Sequence, residues 1–477
     1  MRPILKNTLF IAIGAIAGVV ITWQVTAVAQ QNAALPLEEL RLFTSVFGSV
    51  KREYVEPIED KKLLTDAVKG MVNSLDPHSA FLDTKDFSDM QEQTQGRFAG
   101  LGIEISSEDG LVKVMNPIED SPAAKAGIQS GDLITRLDDK PVRGMTLDQA
   151  VRKMRGAPGT KITLTIYRKS EERTFPITIT RAEIKVQSVK SKLIDNAILW
   201  VRITSFQERT VPDLAKRLTE AYQANPDIKG VVLDLRNNGG GILQGAVGVS
   251  AAFLPPGSTI VSTKGQSASS KQVYKAEPDN YRLSEGGDAL SSVPAIFKKI
   301  PLVVLTNAYS ASASEIVSGA LQDLKRATIM GKTTFGKGSV QTVRQITSDT
   351  ALKITTAYYY TPNGRSIQAY GIKPDIAVDQ NPDGDPFDVL ITREIDSENH
   401  LKNKQKAEDQ VLSDREKRRM AELQALEEKN ALMTPEDRLK EKNKKVPEFG
   451  SVDDFMLQQA KAYLLGQTFI RSKSKLE

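Results

Sequence analysis

The sequence predicts an α+β multidomain chain: a helical N-terminal segment, a small β-rich domain, an α/β core and a charged helical end. Three observations carry this reading. Apolar residues recur at helical spacing over 37–95. Short alternating segments replace that pattern over 97–182. Over 183–380, β-branched apolar runs alternate with amphipathic stretches. With 477 residues, the chain can support several domains, with a core that needs no metal or disulfide.

The N-terminus speaks first to compartment. Arg2 and Lys6 precede an uncharged apolar run from Leu9 to Val28, roughly 20 residues and long enough to cross a bilayer as a helix. It ends in Ala27-Val28-Ala29, a small-x-small pattern suited to signal peptidase. Residues 1–30 read as a cleaved signal peptide or as a retained anchor, and both export the remainder of the chain past a positive end. A buried core helix fits the terminal position and flanks less well.

Over 37–95, Leu40, Phe43, Val46, Phe47 and Val50 form one helical face and Leu63, Leu64, Ala67, Val68 and Met71 another. Asp76-Pro77 breaks the second pattern, and His78 just beyond it reads as a loop histidine. Over 97–182, Leu111–Met115, Asp132–Leu137 and Lys161–Tyr167 read as strands. Leu147–Met154 reads as one helix ended by Gly156 and Pro158-Gly159. Over 183–380, strands are expected at Ile198–Ile203, Gly230–Leu235 and Pro301–Thr306. A helix is expected over Val211–Ala221, and another carries Ile316, Val317, Ala320, Leu321 and Leu324. Residues 257–293, rich in Ser, Gly and Lys, read as a surface excursion. Residues 381–477 are polar and charged, with 401–447 about half charged and mixed in sign, a solvated helix or tail. A short apolar helix returns at Phe455–Leu465.

Composition narrows the chemistry. Lys plus Arg is 64 against 59 acidic residues, a net charge of +5, which gives no argument for nucleic acid. There is no cysteine, so thiol nucleophiles, disulfides and thiolate metal sites are excluded. The only histidines are His78 and His400, far in sequence from any serine cluster. A covalent route then falls to a serine activated by something other than histidine, and a lysine kept neutral by desolvation can be that base.

Two linked motifs supply such a pair: Ser-Ala-Ser-Ala-Ser-Glu at 310–315 and Phe-Gly-Lys-Gly at 335–338. Ser312 follows a buried strand and opens a helix, where free N–H groups and the positive dipole end favour developing negative charge. Ser312-x-x-Glu315 is equally a capping box, which explains a serine at a helix start without catalysis. Lys337 lies between two glycines, which permit close backbone approach and leave room for a substrate; a solvated turn lysine is the plainer reading. Gln341, four residues on, is placed to orient the amine. Asp234-Leu-Arg-Asn-Asn-Gly-Gly-Gly241 offers bare N–H groups for an oxyanion, or is simply a tight strand-to-helix turn. A phosphate loop is disfavoured, because no Gly-Lys-Ser/Thr closes it. Gly100-Leu101-Gly102-Ile103 either captures a C-terminal carboxylate beside a pairing strand or merely leads into that strand.

Together and in this order, the motifs resemble the carboxyl-terminal processing peptidases, also called tail-specific proteases, over roughly 37–380. The resemblance implies a PDZ domain at 97–182 ahead of a crotonase-like βαβ serine protease core at 183–380. It implies Ser312 as nucleophile, Lys337 as general base and Gln341 as the residue that orients it. Ala313 N–H with Gly240 or Gly241 would form the oxyanion hole. Many members have Pro-Gly-Gly where this chain has Gly239-Gly240-Gly241. Leu101, Gly102 and Ile103 would line the PDZ carboxylate site, and Arg155 would couple PDZ occupancy to the active site.

The function so implied is an exported serine endopeptidase, in the bacterial periplasm or on the periplasmic side of the inner membrane. It would take protein substrates with apolar C-termini and need neither cofactor nor metal. The apolar N-terminal run admits membrane anchoring, the helical segments at both ends admit a homodimer, and an adaptor protein is a further expected partner. A non-catalytic PDZ peptide-binding scaffold is the alternative. An acyl-transfer or thioester-type enzyme is a third reading, opposed by the lack of any nucleotide-binding pattern.

Overall fold

The computed structural model describes residues 36–118, 120–283, 287–382, 384, 391–405, 447–472 and scattered positions between 415 and 434. The expected signal or anchor segment and most of the charged stretch 401–447 lie outside the described residues. No described helix is long and apolar enough to cross a membrane.

The chain divides into two compact units, one ending at Met71 and one beginning at Val72. The first holds α1 (Leu37–Glu53) and most of α2 (Asp60–Asn73). The apolar stripe read from the sequence is real on α1 but faces outward: Leu40, Phe43 and Val46 are all exposed.

The second unit opens with β1 (Ala80–Leu82) and α3 (Thr84–Gln95). Asp83 caps α3 by accepting from the N–H groups of Lys85 and Asp86, and Gly96 in the left-handed region ends it. The β-rich domain comes next: β2 (Arg97–Gly100), β3 (Ile103–Glu108), β4 (Leu111–Pro117), α4 (Pro122–Lys125), β5 (Leu133–Leu137), β6 (Lys140–Pro141), α5 (Leu147–Met154), β7 (Lys161–Arg168), β8 (Arg173–Thr180) and β9 (Ala182–Lys185). Its sheet runs β3-β4-β5-β7-β8, so β3 is an edge strand. Alternation puts Ile162, Leu164 and Ile166 into one core with Val114, Ile134, Ala150 and Met154. The helix is the one expected, opened by a Thr146/Gln149 capping box.

The core is built on a second sheet, ordered β10 (Val189–Ile194), β11 (Ile198–Ile203), β12 (Gly230–Asp234), β15 (Leu302–Thr306), β16 (Thr328–Gly331) and β19 (Ile376–Ala377). From β11 onward every pair is parallel. The crossovers carry α6 (Thr210–Ala224), α7 (Leu243–Phe253) and α9 (Ala313–Asp323). These helices pack on the face presented by Leu199, Val201, Val231, Leu233 and Val304. The opposite face, with Ile198, Trp200, Val232, Val303 and Met330, is covered by α10 (Phe455–Leu464). Burial on both faces explains why these strands read as continuous apolar runs. The terminal helix, which had no assigned task in the sequence, is the lid of this core.

One expectation needs correcting. The stretch 257–293 is not wholly a surface excursion: it supplies β13 (Thr259–Gly265) and β14 (Gln272–Lys275). Ile260 and Val261 are buried, and β13 pairs with β18 (Ala351–Tyr360). Polar neighbours hid a short buried strand. The antiparallel sheet so formed, β1-β18-β13-β14 with β17 (Ser339–Gln345) on β18, carries Gln341. A short helix, α8 (Pro278–Tyr281), lies in the loop after β14.

Candidate active site

Three loops leave the C-terminal ends of β12, β15 and β16, which are neighbours in the parallel sheet. That end of an α/β sheet is where ligand sites form. The loops are 235–242, 307–312 and 332–338, and they hold the glycine run, the serine cluster and the lysine. Ser312 and Lys337, 25 residues apart (337 minus 312), are brought to one end of the sheet because the strands before them lie side by side.

Glu315, in the first turn of α9, joins the last two loops. Its buried carboxylate accepts from Ser312 N–H at 2.7 Å and Lys337 N–H at 2.9 Å on one oxygen. The other oxygen accepts from Gly336 N–H at 2.6 Å and the Thr334 hydroxyl at 2.5 Å. The nucleophile candidate and the base candidate are thus stapled to the same oxygen. Burial pushes the Glu315 carboxyl up to about 7, against the four donors that favour its charged form. Glu315→Gln turns an amide NH2 against at least one backbone N–H whichever way it is rotated, that of Gly336 on one side or those of Ser312 and Lys337 on the other. It is expected to cost roughly 2–4 kcal/mol and to abolish cleavage, read by thermal melts and a peptide assay.

The three serines separate cleanly. Ser310 donates its hydroxyl to Leu235 O at 2.8 Å and accepts from Asn307 N–H at 3.0 Å. Ser314 donates to Asn238 O at 2.8 Å. Both are fully buried and bolt the serine loop to the glycine loop. Ser312 has φ 55° and ψ −110°, a region that type II′ turns ordinarily give to glycine, and the Glu315 N–H that would meet its hydroxyl in a capping box donates to the Ser312 carbonyl at 2.9 Å instead. The backbone geometry therefore frees the one hydroxyl at the helix N-terminus. Strain of this kind is characteristic of functional positions.

Lys337 is half-buried. Burial pulls its amine below the ordinary lysine value, and Lys353 on β18 adds to this, while the carboxylates of Glu394, Glu315 and Asp76 oppose it. The flanking glycines permit the close backbone approach expected of them. A side chain on Gly336 would meet Ala369 O at 2.8 Å, and one on Gly338 would meet Gln368 N at 2.3 Å.

Residues 197–378 match peptidase family S41, residues 99–179 a PDZ domain, and residues 14–86 the N-terminal domain of the activating protease CtpB. Over 401 residues the chain is 42% identical to a carboxy-terminal-processing protease of Bartonella bacilliformis, covering 82% of this chain and 88% of that one. The chain belongs to the carboxy-terminal-processing protease family. It is 33% identical over 385 residues to the carboxy-terminal processing protease CtpA of Bacillus subtilis, covering 79% of this chain and 78% of the other. Among solved structures, the photosystem II D1 C-terminal processing protease is 28% identical, covering 71% of this chain and 86% of that one with a TM-score of 0.41.

The other residues expected of this PDZ-containing serine protease have definite places. Gly240, at φ 105°, packs so tightly that a side chain would meet Ser312 Cβ and Ala311 O, each at 2.9 Å. Its N–H is already donated to the Asn238 side chain at 2.9 Å. Of the expected oxyanion donors, the Gly240 N–H is thus already engaged within its own loop. A side chain on Gly241 would strike Phe206 O. Leu101 and Gly102 are buried and Ile103 half-buried at the start of the edge strand β3. Gly102 O accepts from Ile118 N–H at 2.8 Å and the Ser121 hydroxyl at 3.1 Å, fixing the loop. Arg155 pairs with Asp89 at 3.0 Å and Glu92 at 2.6 Å on α3. Gln341 donates to Ser339 at 3.0 Å and Thr355 at 3.1 Å.

Other residues at the site were not visible in the sequence. Arg236, fully buried in the glycine loop, donates to Asp234 at 2.9 and 2.6 Å. It also donates to Asp454, the cap of α10, at 2.9 and 2.6 Å. Burial would raise the Asp234 carboxyl, but Arg236 beside it outweighs that and holds it below the ordinary range. The C-terminal helix is thereby tied to the loop beside Ser312. Among the described residues no group of His, Asp and Glu is arranged to hold a metal ion.

Proposed function

We propose that the protein is an exported serine endopeptidase that recognises apolar C-terminal tails through its PDZ domain and cleaves them with a Ser312/Lys337 dyad. The observation that carries this is the selective freedom of Ser312. Its two neighbours spend their hydroxyls on the backbone, while Ser312 shares a carboxylate oxygen with the lysine backbone. Neutral Lys337 takes the Ser312 proton, and Oγ attacks the scissile carbonyl. Ala313 N–H and Gly241 N–H stabilise the oxyanion. Lys337 then returns the proton to the leaving amine, and water hydrolyses the acyl-enzyme by the reverse path.

The free edge of β3 supports tail capture by strand addition, with the 101–102 loop receiving the carboxylate. The Arg2/Lys6 flank, the apolar run and Ala27-Val28-Ala29 support export to the periplasm. The test is digestion of two unfolded test proteins that differ only in an apolar or an acidic C-terminal tail. The apolar-tailed substrate is expected to be cleaved about tenfold faster or more, on the order of one good apolar anchor. Equal rates would refute tail selection.

A further inference from the structure

The segment Asp76-Pro77-His78-Ser79 ends at β1 and reads in the sequence as a helix break. In the structure it starts two hydrogen-bond chains, one finishing on Gln341 and the other on Phe335 and Gly338, which flank Lys337. Its role rests on the reading of Lys337 as the base.

The first chain begins at Asp76, which is buried and accepts from His78 N–H and Ser79 N–H, each at 2.9 Å, and from the Ser79 hydroxyl at 2.7 Å. It also accepts from the Thr355 hydroxyl at 3.0 Å. A carboxylate only accepts, so Thr355 must spend its one proton on Asp76 and present lone pairs to Gln341. Gln341 answers with its NH2, and its carbonyl is left turned away from Thr355 as an acceptor. Asp76 thus selects the amide orientation in which Gln341 can accept from an amine.

The second chain begins at His78, whose Nε2 lies 2.8 Å from Glu394. Glu394 is fully buried and accepts from Gln368 Nε2 at 2.9 Å. Gln368 is forced to donate there, so its Oε1 is the atom that accepts from Gly338 N–H at 3.0 Å. Glu394 N–H in turn donates to Phe335 O at 3.1 Å. The lysine loop is therefore held on both sides of residue 337 by an arm that His78 completes.

We propose that Asp76 and His78 are positioning residues of the proteolytic site, fixing Gln341 and the 335–338 loop so that the Lys337 amine meets Ser312. Neither touches the reacting atoms. The charged groups facing the Lys337 amine are Lys353, Glu394, Glu315 and Asp76, with His78 across Glu394.

The experiment compares the full chain with Asp76→Ala, Asp76→Asn, Thr355→Val and His78→Ala, measuring kcat, KM, the pH profile of kcat and melting temperature. Asp76→Ala lets Thr355 donate to Gln341 and reverses the amide, so kcat is expected to fall tenfold or more, on the order expected for a misplaced catalytic group, with KM little changed. Asp76→Asn keeps an oxygen for Thr355 and is expected to recover most of that loss. Both Asp76 variants remove a negative charge facing the amine, so the acidic limb of kcat moves to lower pH in each. Thr355→Val removes only the relay hydroxyl and guards against a misfolded Asp76→Ala; it is expected to lose kcat likewise. His78→Ala is expected to lower kcat with KM unchanged. Wild-type kcat in Asp76→Ala, Thr355→Val and His78→Ala, with only the melting temperature lowered, would overturn the proposal. If Lys337→Ala itself stays active, the dyad reading fails instead, so the two failures are distinguishable.

Discussion

Replacement of Ser312 by alanine is expected to abolish cleavage, by about a thousandfold or more, without unfolding the protein. The Glu315 N–H donates to the Ser312 carbonyl rather than to the hydroxyl removed, so the fold loses little. The contrast lies in its neighbours. Ser310→Ala removes a hydroxyl that bonds both Leu235 O and Asn307 N–H, and Ser314→Ala removes one of the two donors to Asn238 O, leaving only Ala311 N–H at 3.0 Å. Each is expected to cost about 1–3 kcal/mol of stability yet keep measurable activity, because the nucleophile is still present. Activity by peptide assay and stability by denaturant melts check both halves. Activity retained in Ser312→Ala but lost in Ser310→Ala or Ser314→Ala would move the nucleophile.

Substitution of Lys337 is expected to have an effect of the same size, and its pH behaviour identifies the role. An unshifted lysine is neutral in only roughly 0.4% of molecules at pH 8. Burial and Lys353 pull the Lys337 amine below that ordinary value, so the rate should rise with pH along a limb centred below the ordinary lysine range. Lys337→Arg keeps the positive charge at every accessible pH and is expected to be inactive throughout. The same shift carries a sign for stability. The unfolded chain holds the lysine proton at pH values where the folded chain has shed it, so the wild type gains stability as pH rises between the two values. Lys337→Met lacks this gain while remaining folded. A pH–rate profile beside melts at several pH values tests both; a profile flat across the neutral to alkaline range would remove Lys337 as the base.

Much of this site was legible because its parts are local. The strand and helix patterns of 198–235 and 301–324 needed only periodicity, and α5 needed only its apolar face and Gly156. The serine motif carried two readings, capping box and nucleophile, that the structure shows to be compatible. Glu315 does accept from the Ser312 backbone, but the positive φ of Ser312 keeps its hydroxyl out of the cap. No propensity argument predicts a non-glycine residue in that conformation. What stayed hidden is long-range. His78 meets Glu394 across 316 residues, Thr355 meets Asp76 across 279, and Arg236 meets Asp454 across 218. A single polar residue in a loop says nothing of so distant a partner, which is why His78 read as an ordinary loop histidine. The short strand at 259–265 failed for a different reason: Ser and Lys neighbours masked its two buried apolar positions, Ile260 and Val261.

The site also shows how the fold divides its work. The parallel sheet sets the spacing of three loops, the serines flanking Ser312 lock two of them together, and Glu315 locks the third. α10 closes the back of the sheet and reaches the glycine loop through Arg236 and Asp454.

If Ser312 is the nucleophile, it must carry the acyl group during turnover. Acid quench of the full chain while it turns over an ester of an apolar-tailed peptide, with intact-mass and fragment mapping, reads this out. An adduct of the acyl mass is expected on Ser312 alone, and none in Lys337→Ala. An adduct on Ser310 or Ser314, or turnover with no adduct under conditions that trap one for a known serine protease, would contradict the assignment.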